Sequence, residues 1–219
     1  MRLLIAILSC HSNGHGSDWG SELREAQRDT WLCEAVVDHR YFLGRGEGSA
    51  EADEVWLDVP DDYDSLPIKS LALIAWAYEH DYDFIFKCDD DTYCRIDRLL
   101  SSGFEAYNYS GFRKISPWFG WAIEFAQGGA GYWLSRLAMQ AVLGFAENPC
   151  TWGPEDLNLA RILAAHGIRL HHDPRYQWTM DSVPRPDNDI ITAHRCTPQD
   201  MTAIHEAFSV SPFCRKSST

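Results

Sequence analysis

The stretch Phe84-Ile85-Phe86-Lys87-Cys88-Asp89-Asp90-Asp91-Thr92-Tyr93 decides the fold. It begins as an apolar run of strand length and ends in three carboxylates, whose charge needs a partner wherever they are buried. Two readings fit the triplet taken alone. It can be a solvated acidic loop or a helix start, where carboxylates meet the positive end of the helix dipole. It can also hold a cation, and its place at the end of a buried strand favours this, because open α/β sheets bind ligands beyond the carboxyl ends of their strands. A divalent ion of the Mg or Mn type prefers oxygen ligands and is commonly held by one or two carboxylates plus substrate phosphates. Asp89 and Asp91 are therefore expected to hold a metal-bound nucleotide diphosphate.

Upstream of this stretch, the chain alternates strand and helix signals. Leu3 to Leu8 is a buried-strand run followed by a polar, glycine-containing loop, and Ser21 can cap a helix to about Cys33. Arg24 and Arg28 lie four apart on that helix, which is usually a solvated face; a donor contact by Arg28 is the sharper alternative. Tyr41–Gly44 and Val55–Val59 read as strands, and a helix from Ile68 to about His80 follows the Ser65 cap and Pro67. Lys69 stands in its first turn, where the dipole disfavours a cation, so it is expected to answer a nearby anion.

Downstream, a short helix spans Arg95 to Ser102, and Tyr107 to Phe112 reads as a strand. In the segment 116–121, the aromatics Trp118, Phe119 and Trp121 either cap a core or offer flat faces to a sugar ring. Gly128, Gly129, Ala130 and Gly131 call for unusual backbone angles or a very close approach, read here as packing against substrate before a helix from about Ser135 to Phe145. Glu155 and Asp156 open a helix to His166. The dipole there is expected to keep Asp156 ionised and able to act as a base. His194 lies at the end of a late strand and can complete a metal's coordination, with the His171-His172 pair as its competitor. Thr197 and Pro198 begin a last helix to about Phe208.

With 219 residues, 45% of them hydrophobic, residues 1–219 are expected to form a single domain. The net charge of -13 argues against nonspecific nucleic-acid binding, which needs clustered cations. The seven cysteines are scattered and odd in number, which disfavours a zinc site and suits a reducing compartment. The apolar start is short for a signal peptide and no run is long enough to span a bilayer, so a cytoplasmic location is expected.

Several ordered motifs together resemble one family. They are Arg24 to Trp31, Phe42-Leu43-Gly44, Lys87 to Tyr93, Gly128 to Ser135, Glu155-Asp156 and His194. The set resembles the Fringe-like and β1,3-galactosyltransferase-like enzymes of glycosyltransferase family 31. The resemblance implies a GT-A fold, an α/β arrangement in which a Rossmann-like mixed sheet is flanked by helices. It also implies inverting, metal-dependent transfer of a hexose or N-acetylhexosamine from a UDP-sugar to a saccharide hydroxyl. Carried over by position, Asp89, Asp90 and Asp91 fall on the DxD-type motif, with Asp91 the direct ligand of Mn2+ or Mg2+. Asp156 falls on the base and His194 on the late metal-binding histidine. Small size and the absence of an anchor and stem depart from the Golgi members and suggest a viral or bacterial relative. A metal-dependent phosphohydrolase and a non-catalytic carbohydrate- or nucleotide-binding module are the alternatives. The former wants Asp-x-Asp-x-Thr, whereas Thr92 directly follows Asp91; the latter has no use for Asp156.

Overall fold

A computed structural model describes residues 1–11, 19–117, 122–145, 153–177 and 188–208. In chain order the strands and helices begin with β1 (Leu3–Leu8), α1 (Trp19–Asp29), β2 (Asp38–Leu43), β3 (Glu54–Trp56), α2 (Leu66–Glu79), β4 (Phe84–Asp89), β5 (Tyr93–Cys94) and α3 (Ile96–Leu100). Then come β6 (Tyr109–Gly111), β7 (Arg113–Ser116), β8 (Ile123–Ala126), β9 (Tyr132–Ser135), α4 (Arg136–Gly144), α5 (Glu155–Ala165), β10 (His171–His172), β11 (Tyr176–Gln177), β12 (Thr192–Ala193) and α6 (Pro198–Phe208).

Seven strands form one mixed sheet in the order β10-β6-β9-β4-β1-β2-β3. β4, β1, β2 and β3 run parallel, while β9 lies antiparallel to both β4 and β6. β1 and β4 are central and covered on both faces, which is why they read as continuous apolar runs. Alternate side chains of β1 serve opposite cores. Ile5 and Ile7 pack with Leu23, Trp31, Leu99 and Ile204 on one face. Leu4, Ala6 and Leu8 pack with Leu73, Ala138, Met139 and Leu163 on the other. A mixed sheet between two helical layers is the architecture that the GT-A resemblance implies.

Three expectations need correction. The glycine-rich run does not lead straight into a helix: Tyr132–Ser135 is a fully buried strand, and α4 starts only after Ser135, whose hydroxyl accepts a hydrogen bond from the Ala138 amide. A second small hairpin, β7 with β8, precedes it. Finally, Cys33 is disulfide-bonded. Disulfides persist in oxidising compartments, so the inference of a reducing one does not hold. Cys10, Cys88, Cys94 and Cys196 are free thiols. Among the described residues no helix is long and apolar enough to cross a membrane.

Candidate active site

β4 delivers the acidic triplet to the edge of the sheet, and the short β5–β12 ladder brings His194 back against it. His194 Nε2 lies 3.1 Å from Asp91 Oδ1 and 3.9 Å from Asp89 Oδ2. One ligand atom from each of these residues falls within 4.8 Å of the others. Asp91 Oδ1 is buried, and the polar group beside it is the His194 imidazole rather than a backbone or hydroxyl donor. Two carboxylates and an imidazole on one point fit a divalent metal, so the residues present can hold the ion that the fold implies. The competing pair is engaged elsewhere: His171 stacks on Tyr107, and His172 Nδ1 accepts from the Arg113 amide.

A cleft of about 800 Å³ runs from the triplet along the carboxyl end of β1, lined among others by Ser9, His11, Gly46, Tyr63 and Lys69. That volume suits a nucleotide. Lys69 is buried, and its ammonium donates to Ser9 O at 2.8 Å and to Asp61 Oδ1 at 2.5 Å. The anion expected beside Lys69 is thus first of all Asp61. Asp90 Oδ2 accepts from the Ser9 hydroxyl at 2.7 Å, and that oxygen in turn accepts from Arg24. Burial pushes the Asp90 carboxyl up to about 7; the Ser9 bond opposes the rise, while Asp91 and Asp89 add to it.

The other half of the site is built by the start of α5 and the turn before β9. Asp156 Oδ2 accepts from the Gly128 amide at 3.0 Å, and Oδ1 from the Leu157 amide at 2.8 Å. Glu155 accepts from the Tyr132 hydroxyl at 2.5 Å. The Asp156 carboxyl is raised to about 6, first by burial and then by Glu155, against the lowering effects of the Gly128 amide and Lys87. This corrects the expectation that the helix dipole would dominate, because a first-turn position stabilises a carboxylate only modestly when the group is also desolvated beside another acid. A base near 6 is still largely ionised at pH 7 and is better matched to proton transfer than an ordinary aspartate.

The glycine run serves the site differently from expectation. A Cβ on Gly129 would stand 2.1 Å from His194 Nε2, and one on Gly131, where φ is +92°, would strike Phe86 at 2.2 Å. A Cβ on Gly128 would meet Glu155 at 2.9 Å. The close approach is therefore made by the protein's own side chains. Thr92 Oγ1 donates to Gly129 O and Thr192 Oγ1 to Ala130 O, each at 2.7 Å, fixing this backbone against β5 and β12.

Arg28 does not face the cleft. Its guanidinium holds Asp53 through two bonds of 2.9 and 2.8 Å and reaches Glu51 at 2.8 Å, so the donor contact gives way to a structural pairing. Trp118 and Trp121 lie outside the described residues. Sequence reasoning missed Ser9, Arg24, Asp61 and Lys87 as parts of the site. Only Lys87 carried a local signal, a cation inside an apolar strand.

A family model described as Galactosyltransferase matches residues 22–106. Mouse beta-1,3-galactosyltransferase 6 is 28% identical over 224 residues, covering 82% of this chain and 67% of its own length. Mouse UDP-GalNAc:beta-1,3-N-acetylgalactosaminyltransferase 2 is 23% identical, covering 73% of this chain, which spans only 34% of that relative. Among solved structures, a glycosyltransferase involved in glycosylation of the major capsid of PBCV-1 superposes with a TM-score of 0.53 at 14% identity, covering 92% of this chain and 98% of that one. HddC from Yersinia pseudotuberculosis gives 0.52 at 10% identity, covering 95% and 100%. The structural likenesses bear out the GT-A fold. The sequence likenesses bear out the resemblance to glycosyltransferase family 31 and, with it, the enzyme class of a glycosyltransferase.

Proposed function

We propose that residues 1–219 act as one catalytic domain that moves a hexose or N-acetylhexosamine from a UDP-sugar to a saccharide hydroxyl with inversion. The observation that carries this reading is the junction of two differently built acidic sites: a convergent cluster of Asp89, Asp91 and His194, and a half-buried Asp156 beside it across the turn at 128–129. Asp91 and His194 would hold Mn2+ or Mg2+, with Asp89 binding directly or through water. When bound, the ion offsets charge on the departing diphosphate. Asp90 and Lys69 border the donor cleft and keep its floor rigid.

Asp156 takes the proton of an acceptor hydroxyl, which attacks the anomeric carbon from the face opposite the leaving group. The Gly128 amide keeps Asp156 turned toward the glycine run. Glu155 stands beside Asp156 on the acceptor side, and the buried run of Gly128, Gly129 and Ala130 backs it. The Cys33 disulfide speaks for an oxidising compartment rather than the cytoplasmic location read from the sequence.

Thermal unfolding with UDP or GDP, with and without Mn2+, tests the donor half: stabilisation is expected from UDP only when metal is present. Equal stabilisation by UDP with and without metal overturns it. For the acceptor half, Asp156→Asn is expected to abolish transfer and leave metal-dependent UDP binding intact. An active Asp156→Asn variant would remove Asp156 from the role of base.

A further inference from the structure

Lys87 is a described side chain that touches both halves of this site. It sits in the middle of β4, between Ala6 of β1 and Tyr132 of β9, at a position where the sheet otherwise buries apolar side chains. Its side chain is 3% exposed. The ammonium lies 2.7 Å from Asp89 Oδ1, 3.4 Å from Gly128 O and 3.6 Å from Glu155 Oε2, so its neighbours come from β4, the turn before β9 and α5. Because Lys87 takes Oδ1, the other oxygen of Asp89 is the one that faces His194.

We propose that Lys87 is a positioning residue that locks the donor-side carboxylate Asp89 and the acceptor-side pair Glu155–Asp156 into one frame through a single buried cation. The inference rests on the functional reading above and adds a residue to it. A cation placed only for packing would need one counter-charge; this one has two, each contributed by a different half of the site.

The electrostatics agree with the geometry. The charged or titratable groups that act on Asp156 or neighbour it are Glu155 on its own helix, Lys87 from β4, Lys114 from β7, and Tyr109 and Tyr132 from β6 and β9; Arg195 acts in turn on Lys114. Of these, Glu155 favours the protonated form of Asp156 and Lys87 the ionised form.

The test is a carbon-13 NMR titration of the Asp156 carboxyl in metal-free protein, assigned with Asp156→Asn, alongside kcat and KM for UDP-sugar turnover. Lys87→Met is expected to raise the Asp156 midpoint by about one pH unit, a tenfold change in proton affinity. It should also lower kcat on the order of 100-fold, the scale of a small misplacement of reacting groups, with a lesser effect on KM. Lys87→Arg should restore the midpoint, and Glu155→Gln should move it the opposite way. Should Lys87→Met fail to fold, the double variant Lys87→Met/Glu155→Gln removes two opposite charges together, and its midpoint must lie above that of Glu155→Gln alone. Equal midpoints with and without Lys87 overturn the inference. If the wild-type protein turns over no UDP-sugar, the functional reading fails, and the midpoints still decide whether Lys87 links Glu155 and Asp156.

Discussion

Gly129→Ala is the most direct probe of the metal end, because one methyl group is aimed at one ligand. The added Cβ would stand 2.1 Å from Nε2, 2.2 Å from Cε1 and 2.7 Å from Cδ2 of His194. Ordinary contact begins near 3.4 Å, so the ring has to retreat by about 1 Å, whereas a metal ligand tolerates only about 0.2 Å. The Gly129 backbone cannot easily yield instead, since Thr92 Oγ1 holds its carbonyl at 2.7 Å. Disturbing the support of a ligand typically costs 10–100-fold in metal affinity, and displacing the ligand itself should reach at least that range. This corresponds to about 1.4–2.7 kcal/mol in the binding of Mn2+ with UDP. Isothermal titration of Mn2+ into protein with saturating UDP reads the loss. Gly144→Ala, at a helix position with nothing within 4 Å of the new methyl, is the control and should match wild type in binding while gaining about 0.5–1 kcal/mol of stability. A Gly129→Ala protein that binds metal like the control would show that His194 is not held where the geometry requires.

The other expectations concern protonation and burial. With Asp156 at about 6, kcat/KM should fall as pH drops through 6, tenfold per unit well below it; a profile flat from pH 7 to 5 would refute the assignment. Asp156 and Asp90 are both raised by burial, so the stability each contributes is fully present below the unfolded carboxylate range and lost as pH rises through about 6 and about 7; metal-free protein should show a melting temperature that falls from about pH 4 to about pH 7 and then levels off. Lys69→Met takes the donor from the Ser9 carbonyl and the counter-charge from Asp61, which keeps the His11 and Gly44 amides, and should cost about 1–3 kcal/mol in urea unfolding. Thr92→Val leaves the buried Gly129 carbonyl without its donor and should cost about 1–3 kcal/mol by the same measurement.

Much of this architecture is legible from local patterns. β1 and β4 announce themselves as apolar runs because both faces are covered, and α6 because Thr197 and Asp200 exchange capping bonds at its start. β9 is hidden for a physical reason: its four residues become a strand only by pairing with β4, some fifty positions earlier, and an isolated Tyr-Trp-Leu-Ser has no period that favours strand over helix. The cluster of Asp89, Asp91 and His194 was readable because a buried strand run ends abruptly in carboxylates and a late histidine also stands at a strand end. The Arg28 pairing was not, since Asp53 lies on the strand-connecting segment 25 positions away. Nor was the raised Asp156, because the burial that shifts it is a property of the assembled site.

The reversal of β9 is what brings the proposed donor cleft and Asp156 together. In the parallel part of the sheet the order turns at β1, with β2 on one side and β4 on the other, and ligand crevices open beyond the carboxyl ends at such a point. The cleft lined by Ser9 and the acidic triplet lies there. A further parallel strand beside β4 would have brought only its own carboxyl end to this edge. Because β9 is antiparallel, its beginning lies next to the end of β4, as the pairing of Lys87 with Tyr132 shows. The glycine turn that precedes β9 is thereby laid against the acidic triplet, and through the Gly128 amide it fixes Asp156 at the start of α5. On the proposed function, one reversed strand thus sets the acceptor-side carboxylate beside the donor cleft, and Lys87, on the strand it pairs with, carries the charge that spans the join.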